Sequence, residues 1–67
     1  MAYERVFEIG DKFYIRKAVK DRLCHVRGFI DDCIVYRWWS KRRQEWIYEA
    51  EQNWLIEYSL EIGMYRQ

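Results

Sequence analysis

The stretch from residue 34 to residue 51, IVYRWWSKRRQEWIYEAE, constrains the fold more than any other part of the chain. It contains three of the four tryptophans and two of the tyrosines, placed on both sides of the polar run SKRRQ. Aromatic and β-branched residues favour strands, and a polar run between two such segments is typical of a β-hairpin. The sequence therefore predicts a hairpin with an aromatic and cationic surface, which other strands extend into a sheet.

Length and composition predict a single small β domain over residues 1–67. The chain is 51% hydrophobic and 19% aromatic, and a domain of 67 residues has little interior. Many rings must therefore stay near the surface, where they indicate a binding face or a subunit interface. The net charge of +1 excludes a strong overall attraction to nucleic acid or to acidic membranes. Any charged partner must be recognised locally.

Targeting and metal signals are weak. The N-terminal residues MAYERVFEIG lack the apolar core of a signal peptide, and no apolar run approaches the roughly 18 residues of a membrane span. We therefore expect a cytoplasmic protein in which Cys24 and Cys33 are reduced. Two cysteines and one histidine are too few for a tetrahedral zinc site within one chain, and we expect no cofactor.

Turn signals divide the chain into short strands. Gly10-Asp11, residues 20–22, Asp31-Asp32, residues 40–44 and Gln52-Asn53 separate strands predicted at 13–19, 23–30, 33–39 and 45–51, with looser alternation over 3–9. This order predicts an all-β fold, a small antiparallel barrel or meander of five to six strands. In residues 54–62 the alternation of apolar side chains favours a further strand. A helix capped by Asn53, which would make the fold α+β, is the alternative.

One segment resembles a known fold group. In EIGDKFYIRKAV, residues 8–19, an apolar residue is followed by Gly-Asp and a β-branched strand. This order is similar to the entry of SH3-like small barrels. The resemblance covers these residues alone, and it implies a barrel layout without implying a ligand.

Loop lengths predict the strand registers. A two-residue loop at Asp31-Asp32 pairs Ile30 with Cys33 and Val26 with Arg37. A four-residue loop at 41–44 pairs Trp39 with Trp46 and Arg37 with Tyr48. We prefer it to a three-residue loop, which would place three glutamates among the core valines.

These registers divide the side chains between two faces. The predicted core face carries Cys24, Val26, Gly28, Ile30, Cys33, Val35, Arg37, Trp39, Trp46, Tyr48 and Ala50. The opposite face carries Leu23, His25, Arg27, Phe29, Ile34, Tyr36, Trp38, Glu45, Ile47, Glu49 and Glu51. On the core face we expect Arg37 to stack on Trp39 or Tyr48 near a rim. The opposite face is too apolar for an ordinary solvated surface, so another part of the chain, a second copy or a ligand should cover it.

The candidate ligand-binding or partner-binding residues are aromatic and basic. They are His25, Arg27, Tyr36, Arg37, Trp38, Lys41, Arg42 and Arg43. The rings of Trp38, Trp39 and Trp46 can stack bases, and the cations of Arg37 and of residues 41–43 can hold phosphates. The same residues are also explained by core packing and a charged loop that protects a sheet edge. His25 has no nucleophile beside it in the predicted sheet, and Asp31-Asp32 offers too few oxygens for a hard cation.

The sequence favours a non-enzymatic binding or inhibitor protein, of the type that phages and mobile elements use as accessory proteins, and a homo-oligomer. The leading hypothesis is that its aromatic and arginine-rich face occludes a host protein, because such residues are common interface anchors. The alternative is that it sequesters a nucleotide or binds single-stranded nucleic acid through stacking and phosphate contacts. An enzyme is disfavoured because no nucleophile and base are paired.

Overall fold

The computed structural model describes residues 6–67, which form one antiparallel sheet and a short helix. The elements are β1 (Lys12–Ile15), β2 (Arg22–Ile30), β3 (Cys33–Ser40), β4 (Glu45–Gln52), α1 (Asn53–Glu61) and β5 (Tyr65–Arg66). The strands lie in the order β4-β3-β2-β1-β5. The predicted small antiparallel β fold is confirmed at this level, as an open five-stranded sheet. Residues 6–9 form no strand, and residues 3–5 of that predicted segment lie outside the described part of the chain.

Both predicted hairpin loops are confirmed. Ile30 pairs with Cys33 across a two-residue turn in which Asp31 has φ 53°, a conformation that Asp tolerates better than most residues. The β3–β4 loop has four residues, so Trp39 pairs with Trp46 as predicted. Ser40 holds this loop closed, because its carbonyl accepts from the Gln44 N–H at 2.7 Å.

A β-bulge in β2 makes the predicted division of faces wrong for half of the sheet. Val26 pairs with Tyr36, and the next pair is Gly28 with Val35, so Arg27 has no partner in the register. The predicted pairing of Val26 with Arg37 is therefore wrong by one residue. A one-residue insertion reverses the side-chain alternation beyond it. Because of it, Val26 before the bulge and Phe29 after it can both pack on the core.

The core face of the sheet consequently mixes residues from the two predicted faces. Its side chains and those packed on it are Phe7, Phe13, Ile15, Cys24, Val26, Phe29, Ile34, Tyr36, Trp38, Ile56, Leu60 and Tyr65. Phe13 lies at the centre, with ring centroids 5.0 Å from Phe7 and 5.1 Å from Tyr36. The face that was expected to need a cover is thus covered largely by this chain itself.

The C-terminal segment is a helix, so the preferred strand prediction for residues 54–62 is wrong and the helix alternative is correct. Ile56 and Leu60, four residues apart, pack against the core, whereas a strand would have aligned them with Trp54 and Tyr58. The helix ends at Glu61, and Gly63 beyond it has a φ of 82° that allows the Met64 N–H to bond the Ser59 carbonyl at 2.9 Å. Asn53 does not cap it, since no side chain caps this helix. Its amide oxygen accepts from Val6 N–H at 3.4 Å instead.

The two edges of the sheet approach each other on the core side. The Tyr65 hydroxyl on β5 donates to the Glu51 carboxylate on β4, with oxygen distances of 3.0 and 3.1 Å. In a flat sheet four strand spacings would separate these edge strands by about 19 Å. The sheet must therefore curl strongly, with α1 joining the ends of β4 and β5.

Candidate functional site

The outer face of the sheet carries an exposed aromatic cluster made of His25, Arg37, Trp39, Trp46 and Tyr48. Trp39 and Trp46 meet edge to face at 5.3 Å between ring centroids, and His25 meets Trp46 in the same way at 5.8 Å. Trp39 is 44% exposed and Tyr48 57%. The register placed these rings side by side correctly, but their predicted burial in the core is wrong, because the bulge turns this side of β3 outwards.

Arg37 holds the cluster together. Its guanidinium lies 4.1 Å from the Trp46 ring centroid and 5.9 Å from that of Tyr48. Its Nη1 donates to the Tyr48 hydroxyl at 2.9 Å. The predicted stacking on Tyr48 is confirmed, and the second ring is Trp46 rather than Trp39. Its Nε is buried and has no hydrogen-bond partner among the described residues. A cation–π contact of this kind contributes about 0.5–2 kcal/mol and fixes the orientation of the rings.

A cleft of about 400 Å³ opens beside this cluster, between the β1–β2 loop and the β3–β4 hairpin. Three tryptophans and several cations form its walls. The lining residues are Lys17, Lys20, Asp21, Arg22, Leu23, His25, Trp38, Trp39, Lys41 and Trp46. The cleft therefore combines flat rings with ammonium and guanidinium groups.

The charge of the cleft is strongly positive. Among the described residues that line it, Asp21 is the one carboxylate; it is bonded to Arg66 at 3.0 Å, and this bond lowers the pKa of Asp21. The pKa of His25 is lowered, first by burial and then by the positive charges of Lys12, Arg37 and Arg27. His25 is therefore held neutral near pH 7, and an anion in the cleft would favour its protonation.

Trp38 forms the wall of the cleft that belongs to the core. The Arg22 guanidinium covers its ring at 3.6 Å, and its Nε1 donates to Glu49 at 2.6 Å. Trp38 is half-buried and packs on the core cluster. The side chain is consequently fixed in place, and it offers a ligand less free ring surface than Trp39 does.

The chain carries few other signs of its function. No protein-family model, curated protein or solved structure matches it. Across residues 6–67 no group of His, Cys, Asp or Glu could hold a metal ion. No helix in the same range is long and apolar enough to cross a membrane. The function must be argued from the chemistry of the outer face and the cleft.

The structure brings together some of the predicted binding residues and separates the others. His25, Arg37, Trp38 and Lys41 lie at the cleft or in the adjoining aromatic cluster. Arg42 and Arg43 lie at the exposed hairpin tip, where Arg43 pairs with Glu45 at 2.7 Å. Arg27 is exposed at the bulge, and Tyr36 is 2% exposed within the core. Tyr36 is therefore not available to a ligand at the surface.

The candidate residues named from the sequence omit three cations and three rings that lie at the cleft or in the aromatic cluster. Lys17, Lys20 and Arg22 were assigned only to a strand and a polar turn, although three basic residues within six positions were a signal of local charge. Trp39 and Trp46 were considered as stacking rings but, like Tyr48, were placed on the predicted core face. Arginine is seldom buried, so Arg37 on the predicted core face was the signal that this side faces water.

Proposed function

We propose that this protein is a non-enzymatic binding protein whose cleft holds a nucleotide-type ligand, a planar base joined to phosphate. One observation carries the proposal: the same cleft presents the rings of Trp39 and Trp46 and the cations Lys17, Lys20 and Lys41. Stacking on an aromatic side chain contributes about 1–3 kcal/mol per base, and charge-assisted hydrogen bonds hold phosphate. A volume of about 400 Å³ lies within the usual range for small-molecule sites.

Trp39 is the residue that we assign to base stacking. Arg37 already lies over Trp46, and Arg22 lies over Trp38, so both of these rings have one face occupied. Trp39 meets Trp46 edge to face, has no cation over its ring among the described residues, and is 44% exposed. The lysines that line the cleft would then contact the phosphates.

The local concentration of charge favours a small ligand or the end of a strand over a long strand. Binding along a strand depends on many spaced phosphate contacts, and a net charge of +1 supports few of them. The cations of the cleft come from two neighbouring loops instead, which suits a compact group of phosphates.

A titration with defined ligands tests the proposal. Nucleoside mono-, di- and triphosphates and a short single-stranded oligonucleotide are added while tryptophan fluorescence is followed at low and high salt. We expect saturable quenching that salt weakens, and the tightest ligand identifies whether the source is a free nucleotide or a strand. No change with any of these ligands would contradict the proposal.

Variants with matched chemistry make this test specific. Calorimetry with the tightest ligand should show a loss of affinity of about 5- to 150-fold for Trp39→Ala, since one stacking contact is worth about 1–3 kcal/mol. Trp54→Ala removes a ring that is 59% exposed on α1, away from the cleft, and should bind normally. Equal losses in both variants would rule out Trp39 as the stacking residue.

Occlusion of a host protein is the second candidate, and it includes the inhibitor and phage-accessory interpretations. It is supported by the exposed outer-face rings of Trp39, Trp46 and Tyr48 and by the half-buried Arg37 among them, the residue types that dominate interface hot spots. Affinity capture from a host lysate with wild type and Tyr48→Ala tests it. One partner recovered by the wild type and lost with the variant, without nucleotide binding, would favour this candidate over the first.

For the fold we infer an SH3-like small barrel, as the resemblance at residues 8–19 suggested. The inference is supported by the pairing of β5 with β1 and by the contact of Tyr65 with Glu51 across the sheet edges. The proposed ligand site would then lie where the β1–β2 and β3–β4 loops meet at one end of the barrel.

A further inference from the structure

The net charge of +1 is the sum of a strongly positive region and a negative region of the surface. At the hairpin tip and cleft, which we name the basic end, lie Lys17, Lys20, Arg22, Lys41, Arg42 and Arg43. The acidic side chains at this end, Asp21 and Glu45, are already paired with arginines. The basic end therefore keeps a large positive excess.

At the other end of β4 lies the start of α1, beside an acidic turn, while beyond the end of the helix the Met64 carbonyl accepts from the Arg16 N–H at 2.9 Å. Asn53 at its start donates its N–H to the Asp32 carbonyl at 2.8 Å, which brings the Asp31-Asp32 turn beside the helix. Glu57 and Glu61 lie on the helix, which has no basic residue in its last turn. Among residues 6–67 neither glutamate forms an ion pair. The eight residues of β4 separate the start of α1 and the Asp31-Asp32 turn from the hairpin tip by about 26 Å of extended chain.

The solvent side of α1 is also apolar. Trp54, Tyr58 and Ile62 follow one another at four-residue spacing and are 59%, 53% and 50% exposed. Residues at this spacing form one stripe along a helix, and Glu61 lies three residues from Tyr58 on the same side. The exposed stripe thus combines rings with carboxylates, and Ile56 faces the core behind it.

We propose that this acidic, apolar stripe of α1 is a docking surface for the basic end of a second copy of the chain. The occupant is indicated by charge complementarity, because the basic end carries the cations that the unpaired Glu57 and Glu61 would bind. It also carries the exposed rings of Trp39 and Trp46, which can pack on Trp54 and Tyr58.

The geometry of this contact is head to tail. Pairing of two identical ends would place like charges together, so the favoured contact joins different surfaces and generates rings or short chains. A hairpin tip against a nine-residue helix is a small contact, below the roughly 1,200 Å² of stable complexes, so the association is weak and reversible. The proposal does not depend on the identity of any ligand of the cleft.

Sedimentation velocity of the intact chain at increasing concentration tests the proposal. At low salt we expect the average mass to rise above the 8.5 kDa of one chain, and to return towards it at about 500 mM salt. A mass of one chain at every concentration would overturn the proposal. Association that does not weaken with salt would overturn it as well.

A charge swap makes the test independent of folding defects. The helix variant Glu57→Lys/Glu61→Lys and the tip variant Lys41→Glu/Arg42→Glu should each be monomeric, because the first makes both surfaces basic and the second removes the positive excess of the basic end. Their equimolar mixture should associate again, since each variant presents the charge that the other lacks. Arg27→Glu, outside both ends, should associate like the wild type. Failure of the mixture to associate would contradict the assigned surfaces.

The helix variant also separates this proposal from the proposed function. Glu57 and Glu61 do not line the cleft, so at chain concentrations too low for association this variant should bind nucleotides with the affinity of the wild type. Loss of association with retained ligand binding supports the docking surface alone.

Discussion

Several side chains in this fold ionise less readily than usual because they are buried. Cys24 is fully buried, and burial raises the pKa of its thiol to about 12. Burial and the hydrogen bond to Glu51 raise the pKa of Tyr65 to about 12, and burial also raises the pKa of Tyr36. These groups are therefore neutral in the folded chain at pH values where they ionise in the unfolded chain.

This difference predicts a loss of stability at alkaline pH. The unfolded thiol ionises near pH 9 and the folded thiol near pH 12, so stability is complete below pH 9 and falls as the pH rises towards 12. Each such group contributes a slope of about 1.4 kcal/mol per pH unit within its own window. Urea unfolding between pH 8 and 10 should show a steeper fall for wild type than for Cys24→Ala. Equal slopes would show that Cys24 is not the group responsible.

At the scale of elements, local rules predicted the turns but not the bulge or the helix. The loop lengths followed from polar pairs and from the need to keep Glu45, Glu49 and Glu51 out of the core. The bulge depends on Val26 and Phe29 both reaching the core, which is a tertiary requirement that alternation in one strand cannot reveal. Gly28 was the one local hint, because a glycine inside a strand often marks such a site.

The last segment shows the same limit. The apolar residues of 54–62 fit both a two-residue and a four-residue period, so the pattern alone could not decide between them. Packing decides, because a helix places Ile56 and Leu60 over the open core face while the chain crosses from β4 to β5.

A matched pair of substitutions tests the orientation of α1. Ile56 is fully buried and Ile62 is 50% exposed, yet both change to alanine with the same loss of atoms. Ile56→Ala should lower the free energy of unfolding by about 2–5 kcal/mol, and Ile62→Ala by no more than about 0.5 kcal/mol. Denaturant unfolding of the two variants measures both. Similar losses would mean that the helix presents a different face to the sheet.

At the scale of the whole molecule, sequence reasoning predicted an antiparallel sheet with one exposed aromatic face but assigned that face to the wrong side. The binding candidates divided accordingly, with His25, Arg37, Trp38 and Lys41 at the cleft or its adjoining cluster and Tyr36 in the core. The predicted β2–β3 hairpin already placed residues 23–25 beside residues 38–40, but no local pattern could have placed the β1–β2 loop against the β3–β4 hairpin to form the cleft.

The hydrogen bond between the two edge strands, β4 and β5, can be tested by mutation. Tyr65→Phe removes the hydroxyl that bonds Glu51, and the partly buried carboxylate keeps only the longer bond from Tyr36 at 3.5 Å. We expect a loss of about 1–3 kcal/mol in the free energy of unfolding. Tyr58→Phe changes an exposed hydroxyl on α1 and should cause almost no loss. Thermal unfolding compares them, and equal stability of the two variants would contradict the proposed tie between the edges.

Arg27, the residue of β2 that has no partner in the register, constrains which mutations of this gene preserve the fold. Arg27 is exposed, so its codon can mutate to most other codons with little effect on folding. Deletion of the same codon is different, because it would restore regular alternation and turn Phe29 towards water. Selection should therefore tolerate many amino acids at this position while rejecting the loss of the position itself.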